Sequence, residues 1–374
     1  MPNNNAPQMN NHVTVLEIDG KALVHNLNYF KGKLQAATKI LAVVKAFGYG
    51  SDGVQVAKFL EHKVDYFAVA YTHEGVALRE AGVQAPILVL HPHLQNLQAI
   101  IDFKLEPGLY NFTIFNAFSK LTCEKSLDHY PIHLKFNTGL NRLGFSTAEV
   151  PEILMHLKAP TALKIQSLFS HLAASEDLQE KAFTSHQIEQ FTAIKEVICA
   201  DLAYTPMLHL LNTSGVVNYP QAQFDMVRIG IGLYGFGNDK KETAHLKNTH
   251  NLKSIISQIH SIPPGQTVGY NRAFAAKAAT KTATIPIGHA DGLSRRLGNT
   301  KGFVRIHHQN APIIGNVCMD MIMVDVTHIA CNEGDEVIVF NTQEMIQHIA
   351  DISETIVYET LTAISPRVHK ILTA

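Results

Sequence analysis

No apolar run in the chain approaches the roughly 18–20 residues that cross a bilayer, so no transmembrane helix is expected. An excess of either charge is also missing: 31 Lys and Arg stand against 32 Asp and Glu, a formal net charge of −1. With no basic block, that balance gives no footing for nucleic acid or another polyanion, and it favours self-association. Cysteine is scarce. Cys123, Cys199, Cys318 and Cys331 lie far apart with no CxxC, which argues against a disulfide framework or a zinc site and suits a reducing cytoplasm. Histidine is plentiful at 21 residues, yet HExxH is absent, and His91 and His93 flank a proline in what reads as a solvated loop; no metal is expected. The first dozen residues, MPNNNAPQMNNH, lack the cationic start and apolar run of a signal peptide and read as a disordered tail.

What is present is a globular composition, 46% hydrophobic and 17% charged, in 374 residues. That length exceeds the roughly 250–300 residues at which one core stops growing, so two domains are expected. Eight short apolar runs follow one another: ILAVVK (40–45), YFAVA (66–70), PILVL (86–90), LYNFTIF (109–115), PIHLKF (131–136), LKIQSLF (163–169), MLHLL (207–211) and DMVRIG (225–230). Most are continuously apolar, as strands covered on both faces should be. Helical patterns lie between them, among them GVQVAKFLEHK (53–63), EGVALREAG (74–82) and the stretch from Asp177 to Ala200. Eight strands alternating with helices predict a (β/α)8 TIM-like barrel of the α/β class, with a doubly wound open sheet as the alternative. Beyond about residue 245, alternating runs broken by PPGQ, HQN and NEGD predict a mostly β C-terminal domain, closed by one helix, EMIQHIADISETIVYETLTAI. The expected layout is therefore a tail over 1–12, a barrel over 13–245 and a β-rich domain over 246–374.

Polar groups gather where the barrel strands end: Lys45, Lys135, Asn137, His171, His209, Asn212 and Arg228. In a barrel those ends converge on one mouth, where active sites lie. In AVVKAFGYGSDG (42–53), Lys45 closes a strand beside a tight glycine turn, and Tyr49 follows as a donor toward an anion. A desolvated amine of this kind is a nucleophile toward carbonyls. In VRIGIGLYG (227–235), alternating glycines expose backbone N–H groups after the eighth strand, the usual phosphate position of such barrels. HLLNTSG (209–215) adds the Thr213 and Ser214 hydroxyls for the same anion.

These motifs occur in order with LKFNTGLNRLGF, LFSHLAASED, VGYNRAF, IPIGHADGLSRRL and GNVCMDM, from LEIDGKALVHN near residue 16 almost to the C-terminus. Together they resemble the alanine racemase family. The resemblance implies a pyridoxal-phosphate enzyme that interconverts L- and D-alanine in the cytoplasm and supplies D-alanine for peptidoglycan. It implies that Lys45 anchors the cofactor covalently and that Tyr49, Thr213 or Ser214, and the backbone at Gly230 and Ile231 hold the phosphate. Asn212, His171 and Tyr234 join the cofactor-binding set, and Arg228 faces the pyridine nitrogen. A guanidinium donates but gives up no proton at this pH, so that nitrogen would stay unprotonated and the ring would be a poorer electron sink.

By the same resemblance Lys45 is the base for the D-enantiomer and Tyr270 the base for the L-enantiomer. A free tyrosine titrates near pH 10, so a guanidinium acting through a histidine, Arg228 to His171 to Tyr270, would favour its phenolate. Lys45 and Tyr270 would meet across a head-to-tail homodimer. Arg142 and the N–H of Met319 would bind the substrate carboxylate, and Lys135 would be carbamylated and orient Arg142. His209, Asp320 and His289 would lie near the site. Two departures stand out: His289 replaces a tyrosine usual in the family, and Pro366 stands where some relatives place a phosphate-contacting tyrosine, a contact proline cannot make. The alternatives are a broad-specificity or serine racemase on the same scaffold, and a non-catalytic pyridoxal-phosphate carrier.

Overall fold

The computed structural model describes residues 12–158 and 162–374. Of the expected tail only His12 is described, and the expectation for 1–11 lies outside the described residues. The chain divides into two units, Ala22–Lys247 and a second formed by the residues up to Lys21 together with Asn248–Ala374. The first strand, β1 (Val15–Asp19), therefore belongs with the C-terminal residues and not with the barrel, which corrects the expected boundary at residue 13. The physical reason is strand pairing: β1 has neighbours on both sides, Val15–Ile18 against 250–253 and Val15–Asp19 against 369–373.

The larger unit is a closed parallel barrel of β2 (Lys39–Val43), β3 (Tyr66–Val69), β4 (Ile87–Val89), β5 (Glu106–Leu109), β6 (Tyr130–Lys135), β7 (Leu163–Phe169), β8 (Met207–His209) and β9 (Met226–Ile229). Every residue of β3, β4 and β9 is buried, because helices cover one face and the barrel interior the other. The helices carry their own start signals. Asp52 accepts from the amides of Val54 and Gln55 ahead of the helix Gly53–Leu60.

One expected strand is displaced. LYNFTIF is mostly helix: Asn111 accepts from the Ile114 amide and caps the helix Phe112–Glu124. The fourth strand is instead Glu106–Leu109, which contains Pro107 and Gly108. That dipeptide reads as a turn, but here the glycine serves close packing. A Cβ at Gly108 would meet the Val89 carbonyl oxygen at 3.2 Å and the Phe169 ring at 3.3 Å.

In the second unit β1 continues into β10 (His250–Ile255), β11 (Gln258–Ile262), β12 (Thr267–Val268), β13 (Phe274–Ala275), β14 (Thr280–Ile285), β15 (Phe303–Ile306), β16 (Gln309–Ile314), β17 (Ile322–Asp325), β18 (Glu336–Phe340) and β19 (His369–Thr373). Nine of them form one sheet in the order β11-β14-β17-β16-β15-β18-β10-β1-β19, and β12 pairs with β13. Burial alternates along β10, β15 and β17, as in a sheet with one face packed. The closing helix is broken in two, Gln343–Ser353 and Val357–Thr362, because Glu354 turns left-handed at φ 55° and Ile356 is extended.

Candidate active site

Lys45 follows β2 at the C-terminal end of the barrel, where the chain makes a left-handed turn through Ala46, Phe47, Gly48 and Tyr49, with φ between 52° and 63°. Three of these are not glycine, at a cost of roughly 1–2 kcal/mol each. The turn is held by the Ala46 amide donating to Glu74 Oε1 at 2.7 Å, while Glu74 Oε2 accepts from the amides of Ala70 and Tyr71. The glycines allow close approach: a Cβ at Gly48 would sit 2.9 Å from the Gly53 backbone. Lys45 is half-buried, and burial, then Arg142, lowers its pKa.

The Tyr49 and Tyr234 rings lie 4.8 Å apart, both buried. Burial, then Tyr49, raises the Tyr234 phenol well above its usual range. A Cβ at Gly230 would meet Tyr49 Oη at 2.3 Å, so only glycine admits the phenol there. Thr213 Oγ1 accepts from the amides of Gly230 at 3.1 Å and Gly232 at 3.4 Å. The Gly230 N–H, expected to face a phosphate, is thus engaged by Thr213. Ile231 opens the short 3-10 turn Ile231–Tyr234 beside it. Asn212 Oδ1 accepts from the Gly215 amide and from Ser175 Oγ, which places Thr213 and Ser214 at the start of the helix Thr213–Asn218.

Arg228, from β9, is buried at the centre of the group. Its Nη1 donates to His209 Nδ1 at 2.8 Å and to the His209 carbonyl at 3.1 Å. Its Nη2 donates to the carbonyls of Ser170 and Leu210 at 2.7 and 2.8 Å and to His171 Nδ1 at 3.1 Å. Both imidazoles are held well below their usual pKa, by burial first and then by Arg228, so they are neutral acceptors. Burial pulls Arg228 down to about 9, which leaves it a cation at neutral pH. No partner for its Nε–H is found among the described residues.

Lys135 ends β6 and is 6% exposed. Its Nζ lies 5.9 Å from the Phe169 ring centroid, with no carboxylate partner among the described residues. Burial, then Arg142, Arg228 and Lys45, lowers its pKa to about 8. Arg142 itself is exposed, on a loop shaped by Asn137 Oδ1, which accepts from the amides of Gly139 and Asn141. Four cations, Lys45, Lys135, Arg142 and Arg228, thus act on one another at this end of the barrel. Such a set fits a doubly anionic occupant. The spare Nε–H of Arg228 fits an aromatic ring nitrogen, and the amine of Lys45, its basicity lowered by burial, fits a carbonyl carbon. Pyridoxal phosphate carries all three.

The second group of expected residues lies on the β-rich unit. Tyr270, 72% exposed, follows Gly269 (φ 78°) and precedes left-handed Asn271 and Arg272. Met319 is 59% exposed. With Val268, Asp320, Met321 and Met323 they line a hollow of about 540 Å³. His289 is brought against it: its amide donates to the Cys318 carbonyl, and that of Ala290 to Met319. Asp320 accepts from Arg367 Nη2 at 2.7 Å, and Arg367 Nε donates to Asp291 at 2.6 Å.

Three residues of these sites escape the sequence reading. Glu74 is legible only as the third residue of a helix start, and the pairing of Arg367 with Asp291 not at all, since 76 residues separate them. No helix among the described residues is long and apolar enough to cross a membrane. Among those residues no group of three His, Cys, Asp or Glu gathers as a metal site, and the four cysteines form no disulfide.

Comparison with known proteins gives a consistent result. The alanine racemase N-terminal domain family matches residues 18–237 and the C-terminal domain family residues 249–372. Alanine racemase 1 of Oceanobacillus iheyensis is 33% identical over 366 residues, 95% of this chain and 96% of that protein. The structure of alanine racemase from Clostridium difficile superposes with a TM-score of 0.91 at 31% identity, covering 96% of both chains. That of alanine racemase from Bartonella henselae, with covalently bound pyridoxal phosphate, gives a TM-score of 0.85 at 27% identity, over 96% of this chain and 99% of that one. On the barrel, the β-rich unit and these full-length likenesses, the chain belongs to the alanine racemase family.

Proposed function

We propose that the protein interconverts L- and D-alanine with pyridoxal phosphate held at the barrel mouth, as a cytoplasmic homodimer whose D-alanine feeds cell-wall peptide. The observation that carries the reading is Lys45, a half-buried amine of lowered pKa among Lys135, Arg142 and Arg228. The covalently bound pyridoxal phosphate of the Bartonella henselae relative supports the choice of cofactor. Pyridoxal phosphate supplies a conjugated ring that withdraws electrons from an amino acid joined to it and acidifies the Cα–H.

The protein's own groups would do the rest. Lys45 carries the cofactor and, with its basicity reduced, gives and takes a proton on one face of Cα. Tyr49, Ser214 and the backbone at Gly230 and Ile231 hold the phosphate. Thr213 orders this turn by accepting from the amides of Gly230 and Gly232, Asn212 orders the turn that carries Thr213, and Tyr234 backs Tyr49. Arg228 would offer its Nε–H to the ring nitrogen and, remaining a cation at neutral pH, would keep its proton, so that the ring would be a weaker electron sink. Neutral His171, accepting from Arg228 on Nδ1, has its remaining proton on Nε2. Arg142 and the Met319 N–H grip the substrate carboxylate.

Tyr270 is the second base, on the opposite face, and it comes from the partner copy. Its exposure, with no partner found for its hydroxyl among the described residues, supports that role. Lys135, acidic enough to be partly unprotonated near pH 8, adds carbon dioxide at Nζ, losing one proton and gaining one negative charge. The carbamate would sit against Arg142 and offset the cation cluster.

The test is direct. Purified protein should absorb as a lysine-bound pyridoxal phosphate, peptide mapping after borohydride reduction should place the label on Lys45, and L-alanine should yield D-alanine. A label elsewhere, or no D-alanine, would refute the reading.

A further inference from the structure

Five consecutive barrel strands each place one polar side chain in the interior, and the five form a single chain of hydrogen bonds. Arg228 Nη1 on β9 meets His209 Nδ1 on β8 at 2.8 Å. His209 Nε2 meets Ser167 Oγ on β7 at 2.8 Å, and Ser167 Oγ meets His133 Nδ1 on β6 at 2.6 Å. His133 Nε2 meets Glu106 Oε2 on β5 at 2.8 Å. His133, Ser167 and His209 are fully buried. Glu106 opens its strand, so the chain descends from the catalytic mouth to the opposite end of the barrel.

The ends fix the direction of every bond. A guanidinium only donates, so His209 Nδ1 accepts and its proton is on Nε2. That proton goes to Ser167 Oγ, whose own proton must go to His133 Nδ1. The remaining His133 proton, on Nε2, goes to Glu106. Glu106 Oε2 is fixed as an acceptor from its other side, because Gln166 donates to Tyr66 Oη and Tyr66 Oη donates to the same carboxylate oxygen at 3.2 Å. With a single proton on His133, reversing any link would set two donors face to face at His209; a second proton on His133 would instead make Ser167 Oγ accept from both rings. Ser167 is the one hydroxyl that can accept from one ring and donate to the other.

We propose that Ser167, His133 and Glu106 are positioning residues for Arg228: a one-way relay that gives the buried guanidinium a distant counter-charge and locks His209 as its acceptor, leaving Nε–H aimed at the mouth. Glu106 also feels Arg79, but Arg79 is taken up by the carbonyls of Phe103, Lys104, Val83 and Ala85. The consequence for the reaction rests on the function proposed above; the relay does not.

The experiment uses full-length protein labelled with 15N in its histidine rings, with Glu106→Gln and Ser167→Ala alongside. In the parent protein both His133 and His209 should be neutral and protonated on Nε2. In Glu106→Gln the ring signals of His209 should move although residue 106 does not touch it. The absorbance band of bound pyridoxal phosphate should shift as well, and kcat should fall about tenfold with KM within about twofold, the pattern of a group acting after substrate is bound. Ser167→Ala should move both rings; if it fails to fold, Glu106→Gln alone decides. A proton on Nδ1 of either ring in the parent, or Glu106→Gln signals changed at His133 only, overturns the relay. Absent racemisation in the parent protein would count against the proposed function, and the ring signals would still decide the relay.

Discussion

Replacing Lys135 with methionine, in protein stripped of coenzyme and carbon dioxide, should stabilise the barrel at neutral pH. The lysine sits 6% exposed at the end of its strand, with three other cations acting on or near it and no carboxylate partner among the described residues. Its fall from 10.5 to about 8 in the folded state measures what that setting costs its charge. At about 1.4 kcal/mol for each pKa unit, the cost is roughly 3 kcal/mol. Methionine keeps the stem against Phe169 and removes the charge, so the gain at pH 7 should be about 1–3 kcal/mol after some loss of packing. The folded value lies below the unfolded one, so the unfolded chain binds more protons between pH 8 and 10.5. The parent's stability should therefore rise with pH through that window, and its deficit against Lys135→Met should close by its upper end. Bicarbonate at pH 8 should narrow the gap in the parent alone, with a mass gain of one carbon dioxide at Lys135. Urea unfolding followed by circular dichroism reads all of this, since the chain has no tryptophan to report it. A variant no more stable than the parent at pH 7, or a gap that does not change with pH, would refute the reasoning.

Other outcomes follow from single features. Inactive Lys45→Ala and Tyr270→Ala proteins, mixed under subunit exchange, should recover activity in hybrid dimers; none after proven exchange contradicts the shared site. Gly230→Ala should cost about 1–3 kcal/mol and weaken pyridoxal phosphate binding, because its Cβ would lie 2.3 Å from Tyr49 Oη, and adding Tyr49→Phe should restore much of the stability on thermal melts. His289→Tyr, changing a side chain carried on the loop bonded to Cys318 and Met319, should alter the ratio of alanine to serine turnover without altering the melting temperature by more than about 2 °C. An unchanged ratio would remove His289 from substrate choice.

The barrel was legible because buried parallel strands write themselves as unbroken apolar runs, and because helical patterns such as GVQVAKFLEHK lie between them. It misled where local signals conflict with long-range ones. Pro107 and Gly108 look like a turn, yet the strand forms because the neighbours on both sides pair with it. Asn111 turns an apolar run into a helix through one side-chain hydrogen bond. Lys45, Lys135 and Arg228 could be picked out as polar groups at strand ends. Glu74 could not, since its three hydrogen bonds to the loops after β2 and β3 exist only once the barrel closes. Tyr270 had no signal of its own; only the family motif around it marked it.

The pairing of β1 with β10 and β19 sets an order on biosynthesis. β1 leaves the ribosome before the barrel, but both its partners, β10 and β19, are made after the entire barrel. A nascent chain must carry that apolar strand unzipped while 226 residues fold between its ends, Ala22 to Lys247. Translation that stops before β19 would leave Leu16 and Ile18 without a cover on one edge, and such a product should be cleared by proteolysis even though its barrel is complete.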